Sequence, residues 1–367
     1  MLGHSGRRRT IVALAALAAL VVAVVGVARS DGKPKPRPRP PNRFGIAEGG
    51  LLQALPRRDL ARVLDGVRAI GATWIRMDVN WAVIQARGRR SYAWAPFDRV
   101  VRAARARGLN VLGVIVYTPR WAGPSGGSAS APPADLRDYA TFARRAARHF
   151  RPLGVHAYEI WNEPNNGDSW EPSPDPVRYT KMLRLASTAI KSADHEAKVI
   201  SGGLSPYGSY GERTTRNVNP LDFLEAMYAN GARDALDGVG WHPYSFPLGL
   251  SFSPRSAWSQ MSETTPSARS IMRANGDGGK RIWATEFGAP TGASSKALTE
   301  AAQAALVTEA YTKLRASSWA GPAFLYSYRD HGAVDPGASP DGGFGLVRSD
   351  WSKKPSYTAY ARLTRSR

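Results

Sequence analysis

The sequence contains no cysteine. That excludes a disulfide framework, an iron–sulfur cluster and any thiolate-held zinc site. It does not exclude an exported protein, because a chain of 367 residues can bury a core that needs no covalent staples. Histidine is scarce too, at six, and no H-E-x-x-H or other paired-His spacing occurs, so no metal is expected. A G-x-S-x-G elbow is missing, which argues against a Ser–His–Asp hydrolase. No Gly-rich phosphate turn follows the first strand candidate, and no cofactor is expected. Acidic residues are few: 29 Asp and Glu face 50 Lys and Arg, for a net charge of +21. The excess reads as a solvated, Arg-biased surface or as attraction to a polyanion such as an acidic glycan or anionic lipid. Nucleic acid is not expected, since no stretch interleaves basic and aromatic residues in a known nucleic-acid motif. Hydrophobic content of 43% and eleven Trp exclude a wholly disordered chain.

Long hydrophobic runs are almost absent as well, with one exception. Arg7, Arg8 and Arg9, in a basic region over 1–10, precede an uncharged apolar run from Ile11 to Ala28. Its length falls between a signal-peptide core and a bilayer span, and both readings place the bulk of the chain outside the membrane. The preceding positive charge predicts a cytoplasmic N-terminus. No clear cleavage site stands out, which favours a retained single-pass anchor over a secreted product. Residues 29–43 include DGKPKPRPRPPN, a Pro-rich basic spacer of extended polyproline character. Residues 44–367 then form one domain.

Within that domain short β-branched runs alternate with amphipathic segments. Strand candidates fall at Phe44–Gly49, Thr73–Val79, Asn110–Tyr117, His156–Trp161, Ala197–Gly203, Leu236–His242, Lys280–Glu286 and Pro322–Tyr328. A helix follows each. The sixth reads as broken, restarting with Thr265 as N-cap and Pro266 in the first turn. Eight strand–helix pairs predict an α/β fold closed into a (β/α)8 barrel, with a doubly wound open sheet as the rival. Loops after strands are long and loops after helices short, so a site is expected at the strand C-termini. One such loop, Gly123–Pro133, reads as a flap over the cleft or a tolerated insertion.

Two of these strands end on glutamate. EIWNEPN places Glu163 just past strand four, and WATEFGAP places Glu286 at the end of strand seven. In a closed barrel these ends face each other across the mouth. Two facing carboxyls suit glycosidic bond hydrolysis, one giving a proton to the leaving oxygen and the other attacking the anomeric carbon.

N-E-P ending strand four and T-E-F-G ending strand seven resemble the clan A glycoside hydrolases, the cellulase-like retaining barrels, and within them families 5 and 39. The resemblance spans Phe44 to about Leu363. It implies Glu163 as acid/base and Glu286 as nucleophile. It also implies that Asn162 binds the sugar 2-OH, that Arg76 in WIRMDVNW pairs with the nucleophile, and that Tyr244 in WHPYS hydrogen-bonds Glu286. His242 would touch substrate or orient an acid. The residues alone leave Arg76 open to a structural ion pair with Asp78 or Glu48. Two departures appear. After strand three, where family 5 commonly has His, stand Tyr117 and Trp121; on strand eight, where many members present Trp, stand Tyr326, Tyr328 and Arg329.

Aromatics are dense on the expected mouth: Trp81, Trp94, Trp121, Trp170, Tyr207, Tyr210, Tyr244, Phe246, Tyr328 and Trp351. Some would stack on sugar rings and others pack loops, which favours a polysaccharide substrate. Arg120, Arg213, Arg216, Arg329 and His331 suggest that it could be anionic. Two other readings stand beside hydrolysis: a non-catalytic glycan-binding barrel at the cell surface, and a transglycosylase remodelling a surface glycan.

Overall fold

The computed structural model describes residues 43–206, 216–253, 255–331 and 340–365. The basic region, the apolar run 11–28 and the spacer up to residue 42 lie outside the described residues, as do Tyr207, Tyr210 and Arg213. Among the described residues no helix is long and apolar enough to cross a membrane.

Eight parallel strands close into a barrel in sequence order: β1 (Phe44–Ala47), β2 (Trp74–Asn80), β3 (Asn110–Val116), β4 (Ala157–Ile160), β5 (Lys198–Ser201), β6 (Gly238–Trp241), β7 (Arg281–Phe287) and β8 (Ala320–Tyr326). Each β-strand is a run of mostly apolar residues buried on both faces, as a parallel strand covered by helices must be. β1 pairs with β8 with Ala47 opposite Tyr326, which seals the ring. The rival open sheet is thereby excluded.

Around the barrel run α1 (Arg57–Ala69), α2 (Trp81–Ile84), α3 (Ala95–Arg105), α4 (Leu136–Phe150), α5 (Pro176–Ala193), α6 (Pro220–Ala229), α7 (Ala268–Ala274), α8 (Glu300–Ala316) and α9 (Pro355–Arg365). Their starts follow capping chemistry. The Asp135 and Asp175 side chains accept from backbone N–H groups of the first turns of α4 and α5, and Pro176 occupies the first turn of α5. One element was not expected, and one expectation needs correction. α2 is a single turn after β2, capped by Asn80 and too short to leave a periodic signature. α7 starts at Ala268, not at Thr265–Pro266: Ser267 is its cap, in a reciprocal capping box with Ser270.

Apolar side chains fill the barrel in layers. Ala47, Leu112, Ala157, Ile200, Trp283 and Phe324 form an inner cluster with Trp74 and Tyr326 packed against it. Trp74 meets Trp283 and Phe324 edge-on, at 5.6 and 6.2 Å between ring centres. Strand alternation carries this inward face upward, so that Arg76 stands two residues above Trp74 and Glu159 two above Ala157. A larger apolar cluster joins strands to helices. There α1 approaches so closely that a side chain at Gly66 would overlap the Tyr328 hydroxyl.

Candidate active site

Above the inner cluster the barrel turns from apolar to charged. Arg76 is 1% exposed. Its Nε donates to Glu159 at 2.6 Å, and its Nη2 donates to Glu159 at 3.1 Å and to Asn162 at 2.8 Å. Its Nη1 donates to Glu286. The planar guanidinium fork therefore holds a buried carboxylate on one side and reaches the mouth of the barrel on the other. Glu159 accepts two further bonds, from the Gly203 amide at 2.8 Å and the Thr285 hydroxyl at 3.1 Å. These bonds satisfy a carboxylate that would otherwise be costly to bury.

Glu286 is 16% exposed and accepts from the Tyr244 hydroxyl at 2.9 Å. Burial pushes its carboxyl up, but His242, Arg76 and the Tyr244 hydroxyl together hold it below the ordinary carboxylate value. The buried His242 places Nδ1 2.9 Å from Glu163 and 3.8 Å from Glu286. Burial lowers the basicity of that imidazole; Glu286 and Glu163 outweigh it, leaving a net rise. Its ring edge lies so close to β5 that a side chain at Gly203 would overlap it. Asn166 Nδ2 donates to Glu163 at 3.1 Å. Glu163, His242 and Glu286 each bring an oxygen or nitrogen within 4.8 Å of the others. The same three atoms could ligate a cation, but Arg76 and Tyr244 already occupy the Glu286 carboxylate.

The backbone after β4 is bent hard to aim these groups. Trp161 and Glu163 adopt left-handed conformations, with φ of 69° and 46°, and neither is glycine. Such residues cost on the order of 1–3 kcal/mol each and persist only where the surroundings enforce them. Here Trp161 is buried with its Nε1 donating to Ser169 O at 2.7 Å. Asn165 ties the loop to the loop after β5, donating to Ser205 O and Val218 O and accepting from the Ser205 amide.

A cleft of about 860 Å³ opens over the two glutamates. Asn162, Glu163, Tyr244 and Glu286 face it together with Tyr117, Phe246, Tyr326 and Phe344. Glu48 and Asp78 form its other charged wall. Glu48 accepts from the Tyr328 amide at 2.7 Å, and burial pushes its carboxyl up to about 8. Burial also lifts Asp78 to about 7, Arg76 opposing the rise and Glu286 and Glu159 adding to it. The Tyr117 phenol is pushed up to about 12, by burial first and then by Asp78 and Glu286. Arg255 and Lys296, both exposed, are the cations on this lining.

Six of the expected site residues thus gather in one polar cluster: Arg76, Asn162, Tyr244 and Glu286 share side-chain hydrogen bonds, and the hydrogen-bonded pair His242 and Glu163 meets them through His242, 3.8 Å from Glu286. Tyr117 joins them on the cleft wall. Trp121, Tyr328 and Trp351 do not line the cleft. Trp121 packs edge-on against Trp81, and its Nε1 donates to Gln85 O at 2.8 Å. Tyr328 turns outward beneath α1, against Gly66. Trp351 lies 4.1 Å from both the Arg62 and the Arg329 guanidinium groups. Trp81 and Trp170 are core residues, and Trp94 stacks on His149. Of the expected cations, Arg216 pairs with Asp168 and Arg329 is spent on Trp351 and Ser349, whereas His331 places Nε2 3.9 Å from Glu48 on the cleft wall. No residue of the loop Gly123–Pro133 is on the cleft lining. The loop is tied to the loop after β4 through Ser128, whose hydroxyl donates to Glu171 at 2.7 Å.

Three carboxylates were not expected at the site. Glu159 is the principal partner of Arg76, in place of Asp78 or Glu48. Glu48 and Asp78 face the cleft instead. Each had a signal: Glu48 follows the last residue of β1, and Asp78 and Glu159 share an inward-facing parity with Arg76 and Ala157.

Solved structures with this architecture are numerous. A family 39 glycoside hydrolase from Bacteroides cellulosilyticus WH2 superposes with a TM-score of 0.66 at 24% identity, over 88% of this chain and 63% of that one. A monomeric beta-xylosidase from Caulobacter crescentus CB15 gives 0.68 at 19% identity, over 88% and 68%. Xylanase 10B from Thermotoga petrophila RKU-1, solved with xylobiose, gives 0.60 at 17% identity, over 88% and 94%. The chain therefore spans somewhat less than two thirds of the length of the Bacteroides protein. Among curated proteins, none matches the sequence. The family model described as cellulase, glycosyl hydrolase family 5, matches residues 49–321, a stretch that holds Arg76, Glu163, His242, Tyr244 and Glu286, and the chain belongs to that family.

Proposed function

We propose that the chain is a retaining O-glycosyl hydrolase that cleaves a polysaccharide by double displacement, with Glu286 as nucleophile and Glu163 as acid/base. The observation that carries this reading is the pair of carboxyls, close enough for one to attack while the other protonates the leaving oxygen. Their surroundings divide the roles. Glu286 is held ionised by a buried guanidinium, an imidazole and a phenol, which suits attack on the anomeric carbon. Glu163 has no guanidinium beside it and bonds to His242 and Asn166. In the first step Glu163 protonates the glycosidic oxygen as Glu286 forms the glycosyl bond. In the second Glu163 takes a proton from water, which attacks the same carbon and releases Glu286.

Asn162, oriented by Arg76, is placed to bind the sugar hydroxyl next to the reacting carbon. Tyr117, Phe246, Tyr326 and Phe344 offer ring faces and edges to the sugars on either side. Four carboxyl groups line the cleavage point and two cations the rim, so an acidic substituent of the glycan would sit beside Arg255 and Lys296, away from the scissile bond. The apolar run after three arginines is the basis for an exported protein, membrane-anchored with its N-terminus in the cytoplasm, acting at the cell surface.

The test is to incubate the protein and its Glu286→Gln variant with neutral and acidic polysaccharides and count new reducing ends. Reducing ends from the parent alone, with retained anomeric configuration by NMR, support the proposal. Equal rates from both proteins sink the mechanism. Longer products without net new reducing ends replace hydrolysis with transglycosylation, and binding without bond cleavage replaces it with a glycan-binding barrel.

A further inference from the structure

In a parallel barrel each helix that leads into the next strand ends at the strand N-termini, opposite the cleft. That end of this molecule is strongly basic. Arg68, Arg102, Arg148, Arg273 and Arg362 each stand in the last turn of a different helix, exposed and without an ion-pair partner among the described residues. One cation per helix is what the helix dipole favours. The dipole does not explain α4. There Arg144 and Arg148 stand one turn apart, Arg151 follows, and all three line a groove of about 600 Å³ with His156 and Glu196. Arg151 reaches Asp194 at 4.0 Å, but Arg144 and Arg148, like charges at i and i+4 that repel each other, have no ion-pair partner among the described residues.

The same end is where the chain arrives from its N-terminus. Arg43 bonds the carbonyls of Leu314 and Ser317 at the end of α8, and β1 begins at Phe44. The residues before it in sequence are the basic spacer and the apolar run.

We propose that the helix C-terminal end of the barrel docks on anionic lipid headgroups. The arginines meet phosphates, and the cleft is turned away from the membrane toward its glycan. The contact is electrostatic and needs no apolar surface. It goes beyond an anchor, because docking fixes the orientation of the barrel.

The absence of native cysteine makes the test clean. Single cysteines are placed at Ser192, exposed beside the arginine groove, and at Ser295, exposed beside Lys296 on the cleft side. Each full-length protein is labelled with a fluorophore and reconstituted in vesicles carrying a nitroxide on the lipid headgroup. Docking predicts quenching of the Ser192→Cys label that is at least about threefold greater in phosphatidylglycerol-containing than in pure phosphatidylcholine vesicles. It also predicts little quenching of the Ser295→Cys label, and release of the first label in 1 M salt, where the Debye length falls to about 3 Å. The pair Arg144→Glu and Arg148→Glu should abolish the difference while leaving turnover of a soluble oligosaccharide unchanged. Quenching independent of lipid charge or salt, or equal at both ends, overturns the proposal. So does release by soluble polyglycerol phosphate at concentrations where chloride of equal charge has no effect, which would assign the face to an anionic polymer. None of these readings depends on which glutamate performs catalysis.

Discussion

The two ends of the barrel solve the same folding problem in opposite ways. At the strand N-termini the left-handed turns fall on glycine: Gly71, Gly108, Gly154, Gly231 and Gly276. Buried carboxylates there have nearby partners, Asp194 with His156 at 2.7 Å and Asp277 with Lys280 at 2.9 Å. At the strand C-termini Gly49 is joined in left-handed conformations by Tyr117, Trp161 and Glu163, none of them glycine. Five carboxyls, Glu48, Asp78, Glu159, Glu163 and Glu286, gather there around one buried guanidinium. One end relaxes its backbone and pairs its buried carboxylates. The other accepts strain and like-charge crowding, because chemistry requires groups that are incompletely neutralised.

Substitutions at the two ends should therefore separate activity from stability. The largest effect belongs to Glu286→Gln, which leaves the fold intact by circular dichroism and removes nearly all turnover, since the amide cannot form the glycosyl bond. A variant that keeps parental activity would end the comparison at once. Next comes Arg76→Met, which breaks both sides of the contrast. It leaves Glu159 and Glu286 without their guanidinium, at a cost of about 3–5 kcal/mol in unfolding free energy. Loss of the cation also raises the Glu286 carboxyl, so the acid limb of the pH–rate profile moves to higher pH. An unmoved limb would show that Arg76 does not act on the nucleophile. Asp277→Ala, at the relaxed end, removes the partner of Lys280 and of the Tyr228 hydroxyl at 3.0 Å. It should cost about 2–3 kcal/mol of stability with kcat unchanged at a temperature where the variant is folded.

The same contrast decides what could be read in the sequence. The eight strands are legible because a parallel strand buried on both faces must be a short apolar run. Glu163 and Glu286 are legible because strand ends in a barrel have one place to point. Alternation stops where the strand stops, however, and a loop can fold back in any direction. Tyr328, two residues past β8, swings out beneath α1. Trp351, in the loop before α9, lies between two arginines instead of over a sugar. Glu159 was hidden for the opposite reason: it sits inside an apolar strand, and only the burial of Arg76 beside it explains why an acid is tolerated there. The start of α7 was misplaced because Thr265–Pro266 carries the residues of a helix start, while the geometry that caps the helix is the Ser267–Ser270 pair.

The smallest effect tests the crowding directly. Glu48 is buried on the cleft wall and protonated up to a pH of about 8, against an ordinary value of 4.5. Between those two values the unfolded chain has released its proton and the folded one has not. Folding stability must therefore fall as pH rises through this window. Glu48→Gln keeps an acceptor for the Tyr328 amide and a donor in place of the acid proton, but has nothing to titrate. The variant should lose less stability than the parent on going from pH 5 to pH 8, by roughly 1–3 kcal/mol in denaturant unfolding. Titrating groups remote from Glu48 are common to both proteins and cancel in the difference; His331, whose Nε2 stands 3.9 Å from Glu48, is coupled to it and contributes the remainder. A larger loss in the variant than in the parent would mean that Glu48 is ionised in the folded state, held there by a cation. The wall opposite the catalytic pair would then be a charged surface at neutral pH, and a neutral sugar hydroxyl would meet a carboxylate where the present geometry offers it an acid.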